Sequence, residues 1–324
     1  MYMRNDKNTA GLPAAPFDQR AAGRPVNIGI FISGDVQYWR PLADQTFLYL
    51  EKHLGLLNCK INLINPQFIN QRLYHQLNID CAFIAQHDML ATKGYTQALL
   101  DIENIDYVGC GVEAANKTYN KKSLKKILGY ENIPVTAYRE VSRESSAPYG
   151  DAFDFSSTHI KISTLTQKLW YGENVIDIRD TAGAEKQIQE CFKFCDTALI
   201  EPYSPETVHM ACIVVNRMPL AIVKRESNAS CYPYRYTADY SLSPADELQI
   251  EQFAEKACDL LALEGLVQID FQVCSEFGVV LENILTHPPI YPGGSFVTAL
   301  DKANADPGAI LESLIREAGC YCVI

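Results

Sequence analysis

Two neighbouring segments near the carboxyl end of the chain carry side chains that are suited to binding a divalent cation. Residues 266–274 form an apolar, strand-like run that contains Asp270, and residues 278–281 form a second run that leads into Glu282 and Asn283. Because only a short turn separates the two runs, they can pair as antiparallel strands and bring the carboxylates together. Mg²⁺ prefers such oxygen ligands and shares them with nucleotide phosphates. The sequence therefore predicts a Mg²⁺ site at Asp270, Glu282 and Asn283.

Two alternatives stay open for these carboxylates: one of them points to solvent, or one forms an ion pair with a lysine. Burying both without a cation would cost roughly several kcal/mol or force one to be protonated. Asn283 directly follows Glu282, so on a regular strand their side chains point to opposite faces. A β-bulge would bring both to one face. Otherwise Asn283 is not a ligand, and Thr286 or His287 lines the site instead.

A lysine-rich segment is the second feature with a chemical use. Residues 116–129 have helical character and end at Gly129, and this helix either faces phosphate groups of a ligand or presents an ordinary solvated face. It is a local exception, because the chain has 39 acidic and 28 basic residues and a formal net charge of -11. That overall charge argues against a general binder of nucleic acid or of anionic membranes, both of which need a basic surface.

The elements that must position these residues begin with alternating strands and helices, after a tail at 1–24 that is predicted to be flexible. We predict strands at 26–32, 60–64, 79–85 and 107–108, with helices at 41–55, 66–76 and 94–103 between them. This alternation indicates an α/β fold with a parallel sheet covered by helices on both faces. Further along we predict strands at 159–163, 174–178, 197–201, 208–215 and 219–224, and helices at 244–263 and 306–318.

Eleven cysteines are distributed along a chain of 324 residues. We find no secretory signal and no apolar run of about 18 residues, so we expect reduced thiols, no membrane span and a cytoplasmic location. Most cysteines lie in apolar runs and are predicted to be core residues. The pairs Cys191/Cys195 and Cys320/Cys322 are the candidates for a metal or redox site, although neither has the CxxC spacing.

Residues 87–98 resemble the amino-terminal signature of the D-alanine–D-alanine ligases, which runs His-Gly, five residues, Gly, two residues, Gln and a small residue. His87, Gly94, Gln97 and Ala98 match this signature in register, while Asp88 stands in place of its first Gly. Further stretches similar to the family follow in the family's order, at 105–112, 120–121, 133–135, 199–201, 269–271, 281–283 and 292–295.

The resemblance implies an ATP-grasp fold that clamps ATP between its last two domains. On this basis we expect an amino-terminal Rossmann-like domain at 25–115, a central domain at 116–198 and a carboxyl-terminal domain at 199–324. It also implies a reaction in which a carboxylate is phosphorylated to an acyl phosphate and then attacked by an amine. The implied cofactors are ATP and Mg²⁺, and a homodimer is implied as well.

The resemblance further implies roles for individual residues. Lys121 and Lys161 would contact the ATP phosphates, Glu201 and its neighbour Tyr203 would bind adenine, and Glu206 would hold the ribose. Asp270, Glu282 and Asn283 would hold Mg²⁺, which agrees with the interpretation of the strand pair.

Two positions near the reacting groups depart from the family. After Lys161 the family has a Gly- and Ser-rich phosphate lid, whereas residues 162–172 here are bulky. Either Lys168 and nearby hydroxyls replace the backbone donors of that lid, or the segment is not a lid. Gln268 stands where the family has an Arg that stabilises the oxyanion. Gln can donate a hydrogen bond there but brings no charge.

The substrate side departs from the family as well. Tyr38 and Trp39 stand where the family has an acidic residue for the ammonium group of its first substrate. Residues 224–240 lie where the family has a substrate-covering loop, and they are rich in Tyr and Arg; the alternative is an ordinary polar loop. The candidate substrate-binding residues are His87, Tyr232, Tyr234, Arg235 and Ser295.

We therefore predict an ATP-dependent carboxylate–amine ligase with two small-molecule substrates, one of them amino-acid-like and different from D-alanine. Its candidate catalytic residues are Lys161, Lys168 and Gln268. The first alternative is a degenerate ATP-grasp protein that binds nucleotide or a partner without turnover. The second is a D-alanine–D-alanine ligase in the strict sense.

Overall fold

The computed structural model describes residues 25–32, 40–66, 77–86, 88–144, 158–165, 174–226, 234–288 and 290–319. Several predicted features lie outside the described residues: the tail at 1–24, Tyr38 and Trp39, most of the helix at 66–76, His87, Lys168, Tyr232, Cys320 and Cys322. None of the helices in the described ranges has the length and the apolar character that a membrane span requires.

The strands are β1 Val26–Phe31, β2 Cys59–Ile64, β3 Cys81–Ile84, β4 Asp106–Val108, β5 Arg139–Ser142, β6 His159–Thr164, β7 Asn174–Asp177, β8 Thr197–Tyr203, β9 Val208–Val215, β10 Met218–Arg225, β11 Tyr236–Thr237, β12 Leu266–Cys274 and β13 Gly278–Leu285. The helices are α1 Arg40–Gly55, α2 Met89–Thr92, α3 Tyr95–Ile102, α4 Val112–Tyr119, α5 Lys121–Tyr130, α6 Thr181–Cys191, α7 Pro244–Leu261, α8 Ser295–Ala303 and α9 Pro307–Glu317.

The first sheet is parallel, with the strand order β2-β1-β3-β4, as the alternation of strands and helices predicted. Its central strand carries Ile28, Ile30 and Phe31, which are fully buried because a strand covered on both faces is apolar throughout. The last helix, α9, returns to pack against α1 and β4. The carboxyl-terminal part of the described chain therefore helps to bury the amino-terminal sheet.

The second sheet is antiparallel, with the order β5-β8-β6-β7, and α6 covers one face of it. Along β6, Ile160 and Ile162 alternate with Lys161 and Ser163, so the two isoleucines pack against α6 while the polar residues face the other way. Strand β8 crosses residue 198, where we predicted the boundary between the second and third domains. The predicted three-domain division stays a prediction.

The third sheet is antiparallel, with the order β11-β10-β9-β12-β13. Helix α7 packs on one of its faces and begins as predicted, with the Ser243 hydroxyl accepting a hydrogen bond from the amide of Asp246 at 3.0 Å and Pro244 in the first helical turn. The predicted short strand at 278–281 is part of the longer β13. Helix α8, which the sequence did not indicate, packs against β10.

The predicted single helix at 116–129 is wrong, because two helices meet at Asn120. The backbone of Asn120 is extended, and its side-chain oxygen accepts a hydrogen bond from the amide of Ser123 at 3.0 Å. An Asn that caps a new helix in this way competes with continuation of the old one. The amide of Lys121 donates to the carbonyl of Leu165 at 2.9 Å, which ties the start of α5 to the end of β6.

Candidate functional site

A β-bulge determines the geometry of the predicted metal ligands. Asp270 on β12 pairs directly with Asn283 on β13, while the next pair is Phe271 with Leu281, so Glu282 is an extra residue in β13. Because two residues oppose one at this point, the alternation of side chains is interrupted. Glu282 and Asn283 therefore share the face of Asp270, which is the arrangement that the sequence required for Asn283 to take part.

Glu282 is buried and bonded on both of its oxygens. Its Oε1 lies 2.6 Å from Lys161 Nζ and accepts a hydrogen bond from Gln272 Nε2 at 2.8 Å, and its Oε2 lies 3.2 Å from His209 Nδ1. Burial alone raises the pKa of Glu282, but the Lys161 ammonium and His209 outweigh burial and hold this pKa well below its usual value. Glu282 is therefore ionised, and it forms the lysine pair that was one of the open alternatives.

Glu201 forms the second buried carboxylate centre, on the neighbouring sheet. It pairs with Lys161 across the β6–β8 ladder, with Oε2 at 3.4 Å from Lys161 Nζ, and its Oε1 lies 2.7 Å from Lys125 Nζ. Thr136 Oγ1 donates to the same Oε1 at 2.5 Å. Burial raises the pKa of Glu201, yet the lysines Lys125, Lys161 and Lys121 lower it to about 2.

These contacts form a continuous row of alternating charges in the order Lys125, Glu201, Lys161 and Glu282, and His209 contacts the last carboxylate of the row. The side chains of Lys125, Glu201, Lys161 and Glu282 are each at most 5% exposed. We call this set the buried charge row. Buried ions are tolerated only when they are paired and hydrogen-bonded, so each member depends on its neighbours. The row joins α5, the second sheet and the third sheet, and we use the word cleft for the region where these three elements meet.

Lys121 lies at the edge of this cleft, and it is the residue that the resemblance places on ATP phosphate. Its ammonium donates a hydrogen bond to the Ser163 hydroxyl at 3.2 Å, and Ser163 lies two residues after Lys161 on the same face of β6. Lys121 and Lys161 are therefore neighbours, as a pair of phosphate ligands must be.

A second polar cluster surrounds Gln268, the residue in place of the family's Arg. Its Nε2 donates to Tyr236 Oη at 3.0 Å and to Asp270 Oδ1 at 2.6 Å, and its Oε1 accepts from Ser295 Oγ at 2.5 Å. Both amide hydrogens of Gln268 are thus used within the protein. Gln268 joins Ser295, at the start of α8, to Asp270, so it acts in this conformation as a support for neighbouring side chains.

The donor set at the bulge fits Mg²⁺ in its chemistry, since it offers two carboxylates and an amide oxygen on one face. In the conformation described, however, protein donors occupy the oxygens of Glu282. Within the described residues, no three His, Cys, Asp or Glu side chains converge as metal ligands would. A cation at Glu282 therefore requires the Lys161 ammonium to leave this carboxylate.

The other predicted site residues occupy various positions around the cleft. Tyr203 ends β8, and its hydroxyl lies 3.2 Å from His209 Nε2, whereas Glu206 is exposed in the turn that follows. The ring of Tyr234 lies beneath the Arg225 guanidinium, 4.5 Å from the ring centroid, and Arg235 is exposed. Tyr234 and Arg235 lie next to Tyr236, so they border the Gln268 cluster.

Thr286 and His287, the alternative site residues, lie on the side of the first sheet. His287 Nε2 is 3.2 Å from Gln97 Nε2 and His287 Nδ1 is 3.0 Å from Thr286 Oγ1. Gly109, whose φ of +130° favours glycine, leaves room for this ring, because a Cβ there would lie 3.2 Å from His287 Nε2. Gln97 of the signature therefore links the first sheet to the third.

The cysteine pair that the structure describes is unlike a metal or redox site. Cys191 is buried, and Cys195 Sγ lies 3.4 Å from the carbonyl oxygen of Cys191 and 3.0 Å from that of Thr197. Burial raises the pKa of the Cys110 thiol to about 12, which makes it unreactive. The prediction that most cysteines are core residues is confirmed for the buried members of the set.

Sequence reasoning missed four residues of this site. Lys125 follows Lys121 at helical spacing, so the two face the same side of α5, and this signal was available. His209 and Gln272 lie directly opposite each other on β9 and β12. Neither they nor Tyr236 could be found from spacing, because strand pairing across long stretches of chain brings them to the cleft.

Known proteins with a similar sequence cover most of the chain, although no known family model matches it. The chain is 25% identical over 266 residues to a D-alanine–D-alanine ligase from Pelotomaculum thermopropionicum, which covers 76% of this chain and 82% of the relative. It is 24% identical over 301 residues to a D-alanine–D-alanine ligase from Clostridium botulinum, covering 90% and 98% of the two chains.

Solved structures are similar over a comparable extent. The D-alanine–D-alanine ligase from Bacillus anthracis matches with a TM-score of 0.77 at 18% identity, covering 90% of this chain and 97% of that one. The same enzyme complexed with ATP matches with a TM-score of 0.76 at 17% identity, covering 91% and 98%. These likenesses confirm the α/β ATP-grasp fold that the motif order predicted.

Proposed function

We propose that this protein is an ATP-dependent ligase that joins a carboxylate to an amine. The premise is that the chain has the ATP-grasp fold and is a divergent relative of the D-alanine–D-alanine ligases. The observation that carries this proposal is the buried charge row, with Lys121 at its edge and Asp270 and Asn283 beside it. A cleft that gathers lysines and carboxylates suits the transfer of a phosphoryl group, since catalysis there is mainly neutralisation and positioning of charge.

The reaction that we propose has two steps. A carboxylate oxygen of the first substrate attacks the γ-phosphorus of ATP, the bond to the β–γ bridging oxygen breaks, and ADP leaves. The amine of the second substrate then attacks the acyl carbon, inorganic phosphate leaves, and the nitrogen loses a proton. Lys121 and Lys161 bind the phosphates, while Lys125 holds Glu201 beside them. Tyr203 lies on the strand that borders the adenine.

Asp270, Glu282 and Asn283 would hold Mg²⁺, and their shared face supports this assignment. When bound, the cation would neutralise the charge that develops on the phosphate oxygens. Lys161 bridges Glu201 and Glu282 before nucleotide binds. Its ammonium would leave Glu282 as it contacts phosphate, which makes this carboxylate available. We therefore expect ATP and Mg²⁺ each to promote the binding of the other.

We propose an amino-acid-like substrate other than D-alanine. The supporting observation is the Gln268 cluster, where an uncharged amide stands in place of the family's Arg. This amide is already hydrogen-bonded to Tyr236, Asp270 and Ser295. Arg235 and Tyr234 beside this cluster suit a larger, acidic substrate. A homodimer and a cytoplasmic location also stay part of the proposal.

Two experiments test this function. The first is a calorimetric titration with ATP and Mg²⁺, and the second is an ADP-release assay across a panel of D- and L-amino acids and dipeptides. We expect ATP to bind and a subset of amino acids to release ADP, with D-alanine a poor substrate. Absence of ATP binding at millimolar concentration would contradict the ligase proposal. Binding without ADP release across the whole panel would favour a nucleotide-binding protein that has lost turnover.

Asp270→Asn tests the metal ligands. We expect ADP release to fall by about 100-fold or more, because one carboxylate is lost where the cation must bind. The melting temperature should stay close to that of the wild type, since Asn keeps the shape of Asp. Asp259→Asn is the matched control, because Asp259 is 81% exposed on α7 and should leave ADP release unchanged. Full turnover by Asp270→Asn would rule out Asp270 as a metal ligand.

A further inference from the structure

His209 occupies a position between the nucleotide-binding strand and the predicted metal ligand. Its ring is close to parallel to the ring of Tyr203, with the centroids 6.0 Å apart and an angle of 22° between the planes. Its Nε2 lies 3.2 Å from the Tyr203 hydroxyl oxygen, and its Nδ1 lies 3.2 Å from Glu282 Oε2. The side chain is only 15% exposed, so protein contacts and not solvent determine its orientation.

The hydrogen bonds of this group run in one direction. Glu282 is ionised and can only accept, so the proton of the imidazole lies on Nδ1 and points at Oε2. In the neutral ring Nε2 is then an acceptor, and the Tyr203 hydroxyl donates to it. Tyr203 therefore donates to His209, and His209 donates to Glu282. We call these three residues the Tyr–His–Glu relay.

The two oxygens of Glu282 have different partners. Oε1 is shared by Lys161 and Gln272, whereas among the described residues His209 alone donates to Oε2. When Lys161 moves to a phosphate, Gln272 and His209 are the two donors that still hold the carboxylate. They lie directly opposite each other on β12 and β9, so the sheet itself fixes the distance between them.

We propose that His209 is a positioning residue, which holds Glu282 in the orientation that the cation needs and, through Tyr203, ties that orientation to the strand beside the nucleotide. This inference rests on the proposed function. Removal of a donor that orients a metal-binding carboxylate typically changes the metal affinity by about 10- to 100-fold. Through the relay, the binding of Mg²⁺ depends on the conformation of β8, the strand that carries Tyr203.

The test uses His209→Phe, Tyr203→Phe and the double variant in the full-length protein. His209→Phe keeps an aromatic ring against Tyr203, but it removes both the donor to Glu282 and the acceptor for the Tyr203 hydroxyl. Calorimetry measures ATP binding in EDTA, and a Mg²⁺ titration at saturating ATP measures the apparent affinity for the cation. We expect His209→Phe to weaken Mg²⁺ binding about 10-fold or more and to change ATP binding in EDTA by less than about twofold.

Two further variants separate positioning from packing. Tyr203→Phe should weaken Mg²⁺ binding less than His209→Phe does, and the double variant should be no weaker than His209→Phe, because both changes break one relay. His209→Gln should recover part of the Mg²⁺ affinity, since its amide can donate to Glu282. His53→Phe, on α1 beside the ring of Tyr49 and away from the relay, is the matched control and should behave as the wild type.

Three results would overturn the positioning role. They are an unchanged Mg²⁺ affinity in His209→Phe, an equal loss of ATP binding in EDTA, and additive losses in the double variant. Wild-type protein that binds no ATP with or without Mg²⁺ would overturn the proposed function and the relay together. Wild-type binding with an unaffected His209→Phe would overturn the relay alone.

Discussion

Lys161→Met is expected both to abolish ATP binding and to destabilise the folded protein by about 3–5 kcal/mol. The ammonium lies between two buried carboxylates, 2.6 Å from Glu282 Oε1 and 3.4 Å from Glu201 Oε2. Met fills a similar volume but supplies no charge. Removing the ammonium therefore leaves Glu282 with only Gln272 and His209 as partners and weakens the neutralisation of Glu201. Calorimetry with ATP and urea denaturation at pH 7 measure the two effects.

Lys121→Met separates these two effects. Lys121 bonds to the Ser163 hydroxyl at the edge of the cleft, and it is less buried than Lys161. We expect Lys121→Met to weaken ATP binding while the free energy of unfolding changes by about 1 kcal/mol or less. If Lys161→Met is as stable as Lys121→Met, the buried charge row does not carry the stability assigned to it. If both variants bind ATP normally, the phosphate assignment is wrong.

Glu201→Gln is expected to lower the free energy of unfolding at pH 7 by about 3–5 kcal/mol, because it leaves the buried Lys125 without its charged partner. Lys125 Nζ lies 2.7 Å from Glu201 Oε1, and both side chains are at most 3% exposed. Burial lowers the pKa of Lys125, which shows how costly its charge is in this environment. Urea denaturation with the folded baseline checked by circular dichroism measures the change.

The pH dependence of this effect has a definite sign. The folded-state pKa of Glu201 is lowered to about 2, whereas an unfolded Glu has a pKa of about 4.3. Its stabilising contribution is therefore complete above the unfolded value and is lost as the pH falls from about 5 towards about 2. Glu201→Gln lacks this carboxylate, so the difference in unfolding free energy between wild type and variant should shrink over that range.

A surface ion pair between Lys122 of the same helix and Glu140 of β5 gives the control. Lys122 Nζ lies 2.8 Å from Glu140 Oε2, and these side chains are 34% and 32% exposed. Glu140→Gln should change the unfolding free energy by less than about 1 kcal/mol, because water screens an exposed ion pair. Equal losses in Glu140→Gln and Glu201→Gln would contradict the idea that burial makes the inner pair important.

The secondary structure shows where sequence reasoning reached its limit. The parallel sheet and helix α7 were predictable, because buried parallel strands are apolar runs and Ser243-Pro244 is a strong helix start. Helix α6 was missed, because it buries a face made of Ala184, Ile188 and Cys191, too little to stand out in the sequence. The long helix at 116–129 was wrong at Asn120, where a local cap outcompetes helical continuation.

In the candidate site, too, some features could be predicted from the sequence and others could not. Asp270, Glu282 and Lys161 could be found from the sequence, because charged residues inside strand-like runs stand out and the motif order gives them a context. Gln268 could be identified as the replacement of an Arg, but its bonds to Tyr236, Asp270 and Ser295 could not be predicted. His209 carried no signal at all, since its partner Glu282 is 73 residues away.

The sequence by itself determined the fold class, the order of the strands and helices that carry the site, and the residue types that can bind phosphate and a cation. Those properties depend on local periodicity and on chemistry that each residue carries alone. Only the tertiary structure decided that a bulge turns Glu282 and Asn283 to one face, and that Lys161 bridges Glu201 and Glu282. Such contacts depend on how distant strands align, and burial makes the resulting charge pairs strong.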